Sequence, residues 1–251
     1  MEKCNVSASV SSVRRVLLSC KNIKRLKVRK KPSLTTKHEV SLCKLLRFAK
    51  ERVHWKKEWR RVLFSDEKRF NLDGPGEFQY YFHDTRKETM PAIRRQMRGG
   101  SVMVWTGIGY FCKTNIKFID GRMNSVRYKN LIKEEINNHA ERISEPDYIF
   151  QQDNKPVHTS RLVQSYFNEN NIYILPCPAH SPDLNIIENC WAELVYGRYA
   201  NGKQYQHVQE LKNAIVREWD TLSQNYIQKP YKSIPNRILE VIENKGGCTH
   251  Y

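Results

Sequence analysis

Apolar residues recur at two different periods along this chain, and the change from one to the other marks its elements. Over residues 7–19, SASVSSVRRVLLS, Val10, Val13, Val16 and Leu17 share one face while Ser11, Ser12, Arg14 and Arg15 occupy others, the spacing of a short helix. Thr36 followed three residues later by Glu39 reads as a capping box. Leu42, Leu45, Leu46 and Ala49 continue at helical spacing, which predicts a helix near 37–53. From residue 61 the period shortens. Residues 61–66, 68–73 and 78–83, with a turn at Gly74-Pro75-Gly76, predict antiparallel strands. Gly99-Gly100 opens a strand SVMVWTGIGY, and residues 114–120 suit another. Strands at 148–153 and 172–175 then alternate with helices at 125–142, 159–168 and 186–198, and prolines 176, 178 and 182 punctuate the last loop. The tail from about 206 to 244 is helical, with interruptions expected near Pro230 and Pro235. Antiparallel strands followed by strand–helix–strand–helix predict an α/β protein, a mixed sheet with helices on its faces.

Charge divides the 251 residues into two parts. The net charge of +17 is concentrated in residues 1–69, where 21 Lys and Arg face 6 Asp and Glu, and the remainder is nearly balanced. The run KNIKRLKVRKKP, residues 21–32, holds seven basic residues and no acid. Such a segment cannot bury itself, and it reads as a phosphate-binding arm with Arg14, Arg15, Lys24, Arg25, Lys27, Arg29, Lys30 and Lys31 as contacts. Taken alone it is equally a solvated linker, and it also suits a nuclear localisation signal. Seven cysteines with no Cys-x-x-Cys pair argue against a disulfide framework or a zinc knuckle and point to a reducing compartment. No apolar run reaches the roughly 18 residues of a membrane span, and the N-terminus lacks the apolar core of a secretory signal, so the chain is expected to be soluble and intracellular.

Three acids stand where metal ligands would. Asp66 follows Val62-Leu63-Phe64, Asp153 ends the run Tyr-Ile-Phe-Gln-Gln-Asp, and 34 residues separate Asp153 from Glu188. Ligands of sheet-based α/β proteins gather at carboxyl ends of strands. Carboxylates brought together from distant segments repel each other and stay charged only with a cation between them, so a divalent metal is the simplest account. Each acid also has a plainer reading. Asp153 before Pro156 suits an Asx turn. Glu188, three residues after Asn185, suits a capping box, whereas helical geometry puts it at the edge of the arc formed by Leu184, Ile187, Trp191, Leu194 and Val195, opposite Glu193. Glu67 points away from Asp66 if the strand continues.

SDEKRFNLDGPG, GGSVMVW, FQQDN with VHTS, and SPDLN followed by IENCWAEL occur in an order that resembles the successive blocks of the Tc/mariner superfamily of cut-and-paste DNA transposases, near its nematode Tc branch. The resemblance runs from about residue 7 to the end. It implies an RNase H-like fold, a mixed five-stranded sheet flanked by helices, behind a short basic helical arm. It places the two Asp and one Glu of the active site on Asp66, Asp153 and Glu188, as catalytic residues and as ligands of two Mg²⁺ or Mn²⁺ ions. It also implies double-stranded DNA as partner, through transposon inverted-repeat ends and a TA target, a homodimer in the DNA complex, and strand cleavage and transfer in the nucleus.

The matching organisation is a remnant helix-turn-helix recognition helix and basic linker over 1–35, a connecting helix over 36–60, and the catalytic domain with its helical tail over 61–251. Family members carry two helix-turn-helix modules, so this chain is expected to begin inside the last helix of the second and not to transpose autonomously. Ile186 stands where the family has Pro, which removes some preorganisation of the helix start but no ligand. Lys155 stands where many relatives have a small residue and brings a cation to the site. His158 matches the family position, with substrate contact and helix-start packing as equal alternatives. Two rival functions remain at this level: a catalytically idle transposon-derived DNA-binding protein, and an RNase H-type nuclease, which accounts for the fold but not for the basic arm.

Overall fold

The computed structural model describes residues 36–72, 100–139, 147–178, 181–198, 205–247 and 249–251, together with Ser9 and Ser19. The chain divides into two units, Met1–Thr36 and Lys37–Tyr251. The expected recognition helix, the basic run, the strand at 78–83 and its preceding turn lie outside the described residues.

In chain order the second unit has α1 (Thr36–Arg52), a 3-10 turn (Glu58–Arg61), β1 (Val62–Asn71), β2 (Ser101–Ile108), β3 (Lys117–Ile119), α2 (Ser125–His139), β4 (Ile149–Gln151), α3 (Arg161–Glu169) and β5 (Tyr173–Ile174). A second 3-10 turn (Pro182–Leu184), α4 (Ile187–Arg198), α5 (Val208–Thr221) and α6 (Gln224–Glu243) complete it. The strands form one five-stranded sheet in the order β3-β2-β1-β4-β5. The first three strands are antiparallel, whereas β4 and β5 join parallel to β1. Helical crossovers are what parallel neighbours require, and α2 and α3 supply them.

Both faces of the sheet are covered, which explains why β1 opens with four buried residues in succession. Val62, Phe64 and Phe70 pack in a cluster with Trp191 of α4, Leu211, Ile215 and Trp219 of α5, and Tyr231 and Ile238 of α6. Leu63 on the opposite pleat packs with Tyr128 and Ile132 of α2 and Val163 and Phe167 of α3. The period-two alternation of β1 thus assigns its residues to two helical layers.

Several expected boundaries are corrected. Residues 61–66 and 68–73 are not two strands but one, because β1 stays paired with β2 through Asp66↔Thr106, Glu67↔Trp105 and Lys68↔Val104. Thr36 is already the first residue of α1 and not its capping residue, while Glu39 lies in the first turn, where an acid complements the helix dipole. The strand expected over 114–120 shortens to Lys117–Ile119, preceded by an isolated bridge between Ile108 and Lys113. The prolines do not break the tail: Pro230 and Pro235 both lie within the continuous helix α6. Its true start is Ser223, whose side chain accepts a hydrogen bond from the Tyr226 N–H at 3.2 Å, and Ser233 Oγ donates to the Pro230 carbonyl at 2.7 Å.

Candidate active site

The parallel register of β1 and β4 ends at Phe64↔Gln151. Two residues further along each chain come Asp66 and Asp153, so the two acids leave adjacent strands at the same level. Asp66 is not at the end of β1, as the sequence suggested, but at the point where β1 loses its parallel neighbour and its burial falls from complete to partial. Asp153 lies in the loop after β4.

Asp66 faces the layer of α4. Its Oδ2 accepts a hydrogen bond from the Trp191 indole at 3.2 Å. Lys68, two residues on and on the same face, reaches Glu188 of α4 at 3.4 Å. Glu188 therefore looks toward the sheet and does not close a capping box: its carboxylate goes to a side chain, and the buried Asn185 Oδ1 has no partner among the described residues. Burial pushes the Asp66 carboxyl up to about 6, and the charge of Glu188 pushes the same way against the hydrogen bonds from the Glu67 N–H and Trp191.

Asp153 is in the opposite condition. Burial would raise it, but hydrogen bonds from His158 and Lys155 outweigh that and hold it well below the usual carboxylate range. His158 Nδ1 contacts Asp153 Oδ1, Lys155 Nζ lies 2.9 Å from Oδ2, and the Lys155 N–H donates to Oδ1 at 3.1 Å. Glu67, on the other pleat of β1, closes the cluster. Its Oε2 is 2.9 Å from Lys155 Nζ and its Oε1 is 3.4 Å from His158 Nε2. His158 is itself buried and stacked on Tyr128 with ring centroids 3.8 Å apart, and the Tyr128 hydroxyl donates to Gln152 at 2.9 Å. Its surroundings give His158 a third role beyond the two expected, as a bridge between two carboxylates.

Sequence reasoning brought Lys155 to the site and singled out His158, but it missed Glu67 as their common partner and the Trp191 hydrogen bond. The adjacency of Glu67 to Asp66 was the signal for the former. A further unforeseen element is Arg237 of α6, a buried charged side chain. It donates to the Asp183 carbonyl at 2.6 Å, to Asn189 Oδ1 at 2.9 Å and to Ser233 Oγ at 2.9 Å. Asp183 and Asn189 flank Glu188, so this fork fixes the turn and the first residues of α4 that aim it. Asp183 Oδ2 also accepts the Thr249 N–H at 2.9 Å.

Among the described residues no three His, Cys, Asp or Glu side chains already surround one point as metal ligands would. The donor chemistry nevertheless fits a divalent cation. The charge of Glu188 opposes ionisation of Asp66, which a cation relieves, and all three acids present hard oxygen donors. Half-buried Cys177 and buried Cys190 are poor candidates, since loss of solvation pushes both thiols up to about 12. Among the described residues no helix is long and apolar enough to cross a membrane.

The strain at Asp66 predicts a stability effect. Its native carboxyl keeps a proton to about pH 6, whereas the unfolded chain releases it near pH 4, so stability falls as pH rises through this window and the cost is complete above it. Asp66→Asn should therefore stabilise the protein in EDTA by about 1–2 kcal/mol at pH 7.5 and leave it unchanged at pH 3.5. Urea unfolding at the two pH values checks this, and equal shifts at both would contradict it.

A mixed five-stranded sheet in this order, layered by helices, with Asp66 on its central strand and Asp153 just past the neighbouring one, is an RNase H-like fold. Residues 61–212 match the family described as DDE superfamily endonuclease. The Tc3 transposase of Caenorhabditis elegans is 39% identical over 98% of this chain and 73% of its own length. Among solved structures, the Mos1 mariner paired-end complexes with Mn and with Mg each superpose with a TM-score of 0.77 at 17% identity, over 96% of this chain and 72% of theirs. The chain belongs to the Tc/mariner DDE transposases.

Proposed function

We propose that this transposase uses Asp66, Asp153 and Glu188 to cleave DNA strands at transposon ends and to join them to a TA target. The observation that carries this reading is the placement of Asp66 and Asp153 at one level on adjacent strands, with Glu188 on the helix over the Asp66 face. The three acids would hold two Mg²⁺ or Mn²⁺ ions, whose charge would activate a water or 3′-hydroxyl and offset charge on the leaving oxygen. The Mos1 complexes named for Mn and Mg support a divalent metal here, and their paired-end arrangement supports a homodimer on two transposon ends.

The chain's own residues contribute position. Trp191 holds Asp66 by one oxygen, Arg237 fixes the start of α4, and His158 fixes the Asp153 loop against Tyr128. Such constraint is what converts a phosphoryl transfer into a reaction between prealigned groups. The basic residues Arg14, Arg15, Lys24, Arg25, Lys27, Arg29, Lys30 and Lys31 would hold the polyanion against an acidic site that otherwise repels it. A DNA substrate, with the basic run at residues 21–32 as a localisation signal, supports a nuclear location.

The test is cleavage and joining of duplex DNA bearing candidate inverted-repeat ends, with Mg²⁺, Mn²⁺ or EDTA. Products are expected with either metal and none in EDTA. Cleavage that persists in EDTA would overturn the reading.

A further inference from the structure

Asp153 has both oxygens engaged by basic side chains, and the two differ in their freedom to leave. His158 is buried, stacked on Tyr128 and tied through its backbone N–H to the Lys155 carbonyl at 2.9 Å. Lys155 is half-exposed, with a side-chain exposure of 48%, and it holds Asp153 Oδ2 and Glu67 Oε2 at the same distance, 2.9 Å. Glu67 offers a second seat that does not involve the acids of the active centre, because it projects from the opposite pleat of β1 to Asp66. A flexible ammonium bridging two carboxylates can give up one of them and stay neutralised by the other.

We propose that Lys155 is a tethered counter-cation that competes with divalent metal for Asp153 and so sets the metal concentration at which this site fills. The inference rests on Asp153 being a metal ligand. In the metal-free protein the ammonium ties Asp153 to Glu67 rather than leaving it free for a metal shared with Asp66 and Glu188. On metal binding it withdraws to Glu67, and Asp153 turns to the other two acids. Among the described residues no ammonium pairs directly with Asp66, whose side-chain hydrogen bond comes from the neutral Trp191 indole.

The experiment measures Mn²⁺ binding to the full chain, without DNA, by loss of the free-ion electron paramagnetic resonance signal. Lys155→Met should lower the Mn²⁺ dissociation constant by about 3- to 10-fold, since it removes a half-solvated ion-pair partner and one nearby positive charge. Lys155→Arg, which keeps the charge, should stay close to wild type. Thermal melting confirms that both variants fold, as expected for a half-exposed side chain. Asp153→Asn provides the control for the ligand assignment. If wild-type protein binds no Mn²⁺, or binds it equally well with Asn at 153, the metal site itself is wrong and the competition falls with it. If binding depends on Asp153 but Lys155→Met leaves it unchanged or weakens it, the competition alone is overturned.

Discussion

Asp153→Asn should reduce metal-dependent strand cleavage by about 10³-fold or more while the protein remains folded. Asn preserves the shape of the side chain and one oxygen acceptor but removes the negative charge. The metal charge is then under-neutralised and the reacting oxygens lose their alignment, a loss that proximity elsewhere in the site does not recover. The structural cost is small by comparison. Asp153 is about one-third exposed, and its ion pairs with Lys155 and His158 are worth about 1 kcal/mol or less at such a position. Single-turnover cleavage at saturating DNA, together with a thermal melt, separates the two effects. Full activity in this variant would remove Asp153 from the centre.

Replacing Trp191 with Ala should have the largest effect on stability, about 3–5 kcal/mol by urea unfolding. The ring is fully buried, meets Phe70 edge-on with centroids 5.9 Å apart, and lies 6.2 Å from Trp219, so its removal leaves a cavity between the sheet and α5. Trp191→Phe isolates the second role of the side chain. It keeps most of the apolar contact but leaves Asp66 Oδ2 without its donor, at a cost of about 1 kcal/mol and with the Asp66 carboxyl driven higher. Cleavage by the Phe variant should therefore need higher pH than cleavage by wild type. An unaltered pH profile would mean that the indole only packs.

Much of the fold was legible because its periods were strong. The apolar spacing of α1, α2 and α4 and the run of β2 placed those elements within a few residues. β1 was misread as two strands because Glu67 and Lys68 interrupt its apolar alternation. Their contacts, with Lys155 and Glu188, come from 88 and 120 residues away and cannot be seen locally. The prolines of α6 misled for a related reason: lost backbone bonds are local, whereas the burial of Ile227, Tyr231, Ile234 and Ile238 that holds the helix together is tertiary. In the site, three acids at the margins of apolar runs were readable. Lys155 was readable as a cation near them, but its bridge to Glu67, the His158 contact and the Trp191 hydrogen bond were not, because they depend on which pleat each acid occupies.

The fork of Arg237 has a consequence for the order in which the molecule is made. The ribosome delivers Asp66, Asp153 and Glu188 well before α6, yet the turn and helix start that aim Glu188 are held by a side chain 54 residues beyond Asp183. A nascent or prematurely terminated chain that stops short of Arg237 carries all three acids without the clamp that aligns the third. The start of α4 thus gains its Arg237 contacts only once the chain extends through α6.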